Sequence, residues 1–124
     1  MSLLLDTHAL LWWLEGTNLP DTVAARISDP TEDVAFSAAS VWEISIKEML
    51  GKLRVPEPLS VVAAEEGFRP LPVTFEHAER LLDLPPHHRD PFDRMLVAQA
   101  QVEGLTIVTH DRQFDRYDVP ILSC

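Results

Sequence analysis

The sequence lacks several features that define large classes of protein. Its only cysteine is the last residue, Cys124, so no disulfide can form within the chain, and this favours a reducing, cytoplasmic environment. No apolar run reaches the roughly 18 residues that a membrane span requires. The first residues, MSLLLD, have no basic segment and no small-residue cleavage site, so no secretory signal peptide is expected. These absences predict a cytoplasmic protein without a membrane-spanning segment.

Positive charge is also scarce. The chain carries 20 acidic and 10 basic residues and a formal net charge of −10, which by itself disfavours a nucleic-acid-binding surface. Four arginines nevertheless fall in its last third: Arg89, Arg94, Arg112 and Arg116. Because a bound metal ion changes the local charge, net charge is a weak argument wherever acidic side chains cluster.

What is present predicts a globular α/β protein. With 124 residues, 46% of them hydrophobic, the chain fits a single domain over residues 1–124. Short apolar runs (SLLL, VAFS, LTIVT) alternate with helical patterns such as THALLWWLEG, AASVWEISIKEMLGKL and PFDRMLVAQAQVEG. FRPLPV is strand-like, but its prolines confine it to an edge, and PIL is a short last strand. This alternation predicts a three-layer sandwich with a mainly parallel central sheet.

Acidic residues occupy unusual positions in this pattern. Asp6 follows the first strand and Asp111 follows LTIVT, so both are expected at the carboxyl edge of the sheet, where such folds gather their functional groups. Glu43 lies at the margin of an apolar helical stripe that contains Ala39. Asp93 similarly falls where its helix calls for a hydrophobic residue. Two helices therefore each carry an acid on the side that is expected to face the interior.

Each acid also has a purely structural interpretation. Asp6 and Asp111 could cap the segments that follow them, as Asp90 is expected to cap PFDRML, and Asp93 could interact with the helix dipole. Together, however, the acids would crowd one edge. Two carboxylates ~5 Å apart repel by roughly 3 kcal/mol at an effective dielectric constant of ~20. A cation would relieve that repulsion, and hard oxygen ligands without cysteine imply Mg²⁺ or Mn²⁺.

These residues carry a resemblance. The stretches LLLDTHALLWWL, FSAASVWEISIKEMLGKL, RDPFDRMLVAQAQVEGLTIVTHDRQF and VPIL make the chain similar to PIN domains, and most closely to VapC-type toxin ribonucleases of prokaryotic toxin–antitoxin pairs. The resemblance implies a metal-dependent endoribonuclease that cuts single-stranded RNA. The order and spacing of the family's four acids correspond to Asp6, Glu43, Asp93 and Asp111.

The resemblance also implies roles for these acids. Asp6 and Asp93 are the expected metal ligands, with Asp111 binding directly or through water. Glu43 would orient the attacking water or bind a second ion. Two positions have competitors: Asp90 rivals Asp93, and Asp115 more weakly rivals Asp111. We expect phosphate contacts from four residues near the same edge, two of which have helix-capping or strand-end alternatives: Arg94, Arg112, and then Ser37 and Thr109.

The histidines and the first helix are less decisive. His8 and His110 each adjoin a site acid, whereas His87 and His88 in a proline-rich loop are expected to be solvated. The apolar helix ALLWWL is either sandwiched inside the domain or forms a groove for a partner. In the similar toxins a VapB-type antitoxin covers such a surface, and homodimers are usual. The charge of −10 predicts a basic inhibitory segment that presents an arginine.

Three other functions share some of these sequence features. A haloacid-dehalogenase-like phosphatase also ends its first strand in aspartate but needs a second aspartate two residues later, where this chain has His8. A response-regulator receiver needs a late lysine, whereas the only lysines here are Lys47 and Lys52. A PIN-like scaffold that binds a partner without cutting RNA is disfavoured by the presence of all four acids, and it remains the alternative from another functional class.

Overall fold

The computed structural model describes residues 2–124. Its five strands are β1 (Ser2–Leu5), β2 (Asp33–Ser37), β3 (Arg69–Leu71), β4 (Thr106–Thr109) and β5 (Ile121–Ser123). Its α-helices are α1 (Thr7–Glu15), α2 (Asp21–Ser28), α3 (Ala38–Met49), α4 (Leu59–Glu65), α5 (Phe75–Arg80) and α6 (Pro91–Glu103). Two 3₁₀ turns cover Leu81–Asp83 and Arg112–Arg116. None of these helices is long and apolar enough to cross a membrane.

The strands form one parallel sheet in the order β3-β2-β1-β4-β5. Leu3 on the central strand pairs with Val34 on one side and with Thr106 on the other. The predicted α/β fold with a parallel sheet is confirmed. β3, which contains Pro70, lies at an edge as its prolines predicted, because proline has no N–H to donate to a second neighbour.

The sheet is covered on both faces. Side chains alternate along a strand, so Leu3 and Leu5 enter one apolar cluster and Leu4 enters the other. The first cluster receives apolar side chains of α1, α2, α3 and α4, whereas the second packs the sheet against α6 and Phe114. These clusters define the three layers. All five carboxyl ends of the strands therefore lie along one edge, which helix α6 approaches with its amino-terminal turn.

The apolar first helix is partly explained by its packing in the first apolar cluster, which it shares with β1, α3 and α4. Leu10 is fully buried, and Leu11, Trp13 and Leu14 pack against the first cluster while retaining some exposure. The interior interpretation thus accounts for much of its composition. Its remaining exposed surface is available for a partner.

Candidate active site

Asp6 lies where β1 ends and α1 begins. Its Oδ1 accepts a hydrogen bond from the backbone N of Ala9 at 2.8 Å, so it does cap the helix. Its Oδ2 accepts a second bond from Thr109 Oγ1 at 2.6 Å. Burial raises the pKa of the Asp6 carboxyl, and the bonds from Thr109 and Ala9 oppose that rise. The structural and functional interpretations of this residue are therefore compatible.

Thr109 connects Asp6 to the second strand-end acid. Its hydroxyl donates to Asp6 and accepts a bond from the backbone N of Asp111 at 3.0 Å. Asp111 Oδ1 in turn accepts from the backbone N of Gln113 at 2.9 Å and caps the following 3₁₀ turn. Thr109 is buried and holds the strand ends together. Its hydroxyl is thus committed to the site's own acids rather than to a phosphate.

Glu43 is held in place by two donors. Its Oε1 accepts from the Thr7 hydroxyl at 2.8 Å, and its Oε2 lies 3.0 Å from Lys47 Nζ. The Glu43 side chain is almost buried, as its place at the margin of the apolar stripe predicted. Lys47 was missed from the sequence, although its position four residues after a glutamate on the same helix was a usable signal.

Asp90 and Asp93 separate clearly in the structure. Asp90 is the N-cap of α6, since its Oδ1 accepts from the backbone N atoms of Phe92 at 2.8 Å and Asp93 at 3.1 Å. Asp93 lies within the cluster, and burial raises the pKa of its carboxyl to about 8. The neighbouring charges that add to this rise belong to four acids: Asp90, Asp6, Glu43 and Asp111. The sequence-predicted acids are therefore brought together.

His88 is the residue that sequence reasoning placed wrongly. Its side chain is only 10% exposed, and its Nε2 lies 2.9 Å from Asp93 Oδ2 and 3.2 Å from Asp111 Oδ2. No sequence period could reveal this contact, because the position of a loop side chain depends on what the loop packs against. His87 is exposed as expected, and the rings of His8 and His110 both contact Trp12.

The residues present fit a divalent ion. Atoms of His88, Asp93 and Asp111 all lie within 4.8 Å of one another, and Asp6 is close enough for its charge to raise the pKa of Asp93. Burial and the neighbouring acids disfavour the charged form of Asp93, so a cation among them would lower the pKa of its carboxyl and restore its charge. Carboxylate oxygens without thiols are the ligands of Mg²⁺ or Mn²⁺.

Two expected phosphate contacts are corrected. Ser37 is fully buried; its hydroxyl donates to Gln99 Oε1 at 2.6 Å and accepts from the backbone N of Ala39, so it is the N-cap of α3. The Arg94 guanidinium instead binds the backbone oxygens of Leu84 and Pro85 and the Tyr117 hydroxyl. Both side chains are used for structure.

Two other predicted residues are exposed to solvent. Arg112 is exposed next to Asp111, where it is accessible to a ligand. Asp115 is exposed within the 3₁₀ turn that Asp111 caps. The structure therefore gives Asp111, and not Asp115, the contacts to His88 and Thr109.

A parallel α/β sheet with four acids at its carboxyl edge agrees with the class of protein that the sequence comparison defines. The PIN domain family profile matches residues 3–120, and the chain belongs to this family. The chain is also similar to Ribonuclease VapC22 from Mycobacterium tuberculosis, with 25% identity over 122 residues that cover 96% of this chain and 94% of that protein.

Solved structures show the same fold. VapBC2 from Rickettsia felis, bound to a DNA fragment from its promoter, superposes with a TM-score of 0.76 at 14% sequence identity. The superposition covers 100% of this chain and 99% of the chain in that structure. DNA-bound VapBC from Salmonella typhimurium gives a TM-score of 0.71 at 20% sequence identity, over 99% of this chain and 98% of that chain. FitAcB from Neisseria gonorrhoeae gives 0.67 at 24% identity, covering 98% and 96%.

Proposed function

We propose that the protein is a Mg²⁺- or Mn²⁺-dependent endoribonuclease that cuts single-stranded RNA in the cytoplasm as the toxin of a toxin–antitoxin pair. The observation that carries this proposal is the convergence of Asp6, Glu43, Asp93 and Asp111, where burial, with the charges of the neighbouring acids adding to it, raises the pKa of Asp93 to about 8. A raised pKa means that the charged carboxylate is disfavoured at neutral pH, and a bound cation would stabilise it. Membership of the PIN family and the similarity to VapC22 support the same activity.

The positions of the acids suggest different roles for them. Asp6, Asp93 and Asp111 would hold the ion, which when bound lowers the pKa of water and offsets charge on the phosphate. Glu43, fixed by Thr7 and Lys47, would accept a hydrogen bond from the attacking water and orient it. Thr109 holds Asp6 relative to Asp111 and thereby keeps the ligands in register.

The substrate would enter from the exposed side of this edge. Arg112 is the accessible cation beside Asp111 and would contact a phosphate of the RNA. The Arg94 donors bind the loop and the Tyr117 hydroxyl, so Arg112 is the arginine that we propose for this contact. The proposed specificity for single-stranded RNA follows from the family resemblance.

The proposed partner is a VapB-type antitoxin, and the proposed assembly is a homodimer. A groove of about 310 Å³ lies between α1 and the segment leading into α4, with apolar walls formed by Leu11, Leu14, Leu53, Val55, Leu59 and Val62. An apolar helix face with an adjoining basic segment would match both this groove and the net charge of −10.

The activity is tested by cleavage of a mixed single-stranded RNA pool with Mg²⁺, Mn²⁺ or EDTA. The purified protein must first be verified free of bound antitoxin. We expect metal-dependent cutting by the wild type and none by Asp6→Asn or Asp93→Asn. Asp115→Asn is the matched control, because Asp115 is an exposed acid on the neighbouring turn. Cutting that persists in EDTA or in both site variants would overturn the proposal.

The alternative is a PIN-like binding scaffold without nuclease activity. It predicts that the wild type cuts no RNA and that Mn²⁺ leaves its thermal stability unchanged. Stabilisation by Mn²⁺ without cleavage of the pool would instead indicate an intact ion site and a narrow RNA specificity. The phosphatase alternative stays disfavoured, because His8 occupies the position of its second aspartate and its side chain is exposed.

A further inference from the structure

His88 belongs to a loop whose conformation is fixed by two other side chains. The backbone N of His88 donates to the Tyr117 hydroxyl at 2.9 Å, and Arg94 Nη1 donates to the same hydroxyl at 3.2 Å. Arg94 also binds the carbonyl oxygen of Pro85 at 3.0 Å, earlier in the loop. The edge of the His88 ring packs against Phe114, with ring centroids 6.0 Å apart. The imidazole is therefore held before any ligand arrives.

Hydrogen bonding also determines which ring nitrogen carries the proton. The backbone N–H of Asp90 donates to His88 Nδ1 at 3.2 Å, so Nδ1 must present its lone pair. In the neutral ring the proton then sits on Nε2. That N–H donates to Asp111 Oδ2 at 3.2 Å and lies 2.9 Å from Asp93 Oδ2.

We propose that His88 is a positioning residue for the ion site, whose Nε2–H holds Asp111 facing Asp93 so that both carboxylates are directed to one ion. This role rests on the proposed function. Like-charged carboxylates at close range repel each other, and a donor placed between them opposes that repulsion. Arg94 and Tyr117 do not contact the carboxylates in this arrangement; they hold the loop that carries His88.

The same hydrogen bonds argue against His88 as a metal ligand. A ligating Nε2 needs its lone pair free, which would move the proton to Nδ1 and set it against the N–H of Asp90. Metal-binding histidines instead donate their second ring N–H to an acceptor. The ion would thus have oxygen ligands, with His88 bonded to one of them.

The first test is the tautomer of His88 in metal-free protein, measured by ¹H–¹⁵N NMR of the histidine rings in mildly alkaline buffer. We expect protonated Nε2 and unprotonated Nδ1, and the same tautomer after Mg²⁺ is added. We also expect Asp111→Asn to shift the Nε2 signal. A ring protonated at Nδ1, with Nε2 bare, would overturn the proposal and make His88 a candidate ligand.

The second test is Mn²⁺ affinity by titration calorimetry. His88→Ala should weaken binding by roughly tenfold or more, the range seen when an outer partner of a metal ligand is removed. His88→Gln, which keeps an N–H donor at a similar distance, should recover most of that loss. His87→Ala is the matched control, since His87 is the exposed neighbour in the same loop. Tyr117→Phe should weaken binding in the same direction but less.

The outcomes separate this inference from the proposed function. A wild type that binds no Mn²⁺ overturns the proposed function and, with it, this role of His88. A wild type that binds Mn²⁺ no better than His88→Ala overturns the role of His88 alone. Thermal unfolding in EDTA shows whether each variant is folded. If His88→Ala is not, the comparison of Tyr117→Phe with wild type decides, and equal affinity would contradict the proposal.

Discussion

Helix α6 carries two inward-facing polar clusters of opposite character. At its amino-terminal end, Asp93 lies among other acids, and burial, with their charges adding to it, raises the pKa of its carboxyl to about 8. Further along, Gln99 is fully buried in a network whose donors and acceptors match. One helix thus contributes both to a cluster of several acids and to a hydrogen-bonded network around a buried amide.

The Gln99 network satisfies its own members. Gln99 Oε1 accepts from the Ser37 hydroxyl at 2.6 Å, and Gln99 Nε2 donates to the carbonyl oxygen of Pro72 at 3.3 Å. Next to it, His77 Nδ1 accepts from the backbone N of Thr74 at 3.1 Å, and His77 Nε2 lies 2.7 Å from Glu103 Oε2. The comparison teaches that burial alone does not identify a functional polar group. The feature that distinguishes the proposed site from this network is its excess of acids.

The largest expected effect is on the cleavage rate, which a substitution in the acid cluster should lower and one in the Gln99 network should not. Asp93→Asn should lower metal-dependent cleavage by more than about 100-fold, beyond the effect of losing an outer partner of a ligand. Gln99→Leu should leave the rate per folded molecule close to that of wild type. Single-turnover cleavage of one defined RNA measures both. A comparable loss of rate in folded Gln99→Leu would show that the acid cluster and the Gln99 network do not differ in their importance for activity.

The second effect separates the clusters by stability. Gln99→Leu leaves the Ser37 hydroxyl and the Pro72 carbonyl without their partner and should lower the free energy of unfolding by roughly 2–4 kcal/mol. Gln101→Leu is the matched control, because Gln101 on the same helix is only half-buried, and it should cost less than about 1 kcal/mol. Urea denaturation in EDTA gives both values, and equal losses would argue against a structural network.

The third effect is a pH dependence confined to the acid cluster. The pKa of Asp93 is about 8 in the folded protein against an ordinary value of 3.8, so between these pH values the folded state binds the additional proton. The free energy of unfolding should therefore fall as pH rises through this window. Asp93→Asn should remove roughly 1–3 kcal/mol of that fall, because coupled neighbours share the titration.

This pH dependence is measured by urea denaturation in EDTA from mildly acidic to alkaline pH. The difference between wild type and Asp93→Asn isolates the one carboxyl from all other titrating groups. Added Mn²⁺ should reverse the fall at alkaline pH in the wild type only. Parallel stability curves for the two proteins would contradict the raised pKa.

The smallest effect concerns the margin of the acid cluster. Lys47→Met removes the cation 3.0 Å from Glu43 on the same helix. The Lys47 side chain is 37% exposed, so stability should fall by only about 0.3–1 kcal/mol. Lys52→Met, at the other lysine of the chain, should change stability even less. A loss above about 2 kcal/mol for Lys47→Met would show that Glu43 depends on its ion pair as a buried charge does.

Much of the fold was predictable because it depends on local patterns. Strand and helix periods located the strands and the helices α1, α3 and α6, proline placed β3 at an edge, and Asp90 caps α6 as expected. The position of Asp6 and Asp111 at one edge followed from parallel strands alone. The helical period likewise placed Glu43 and Asp93 toward the interior.

Contacts between distant segments were not predictable in the same way. Ser37 and Gln99, 62 positions apart, meet because β2 and α6 pack together, and this contact makes Ser37 unavailable to phosphate. Arg94 binds a loop and Tyr117 rather than a ligand. The chemistry of a side chain limits which groups it can bind, but the fold decides which of those groups lies next to it.

The sequence by itself therefore determined the layered α/β architecture and the gathering of four acids, because periodicity and strand direction are properties of neighbouring residues. Only the tertiary structure decided that His88 lies between Asp93 and Asp111, and that burial raises the pKa of Asp93 to about 8. The physical reason is that burial and electrostatic coupling depend on distances in space. Those distances are set when segments far apart in the chain pack against each other.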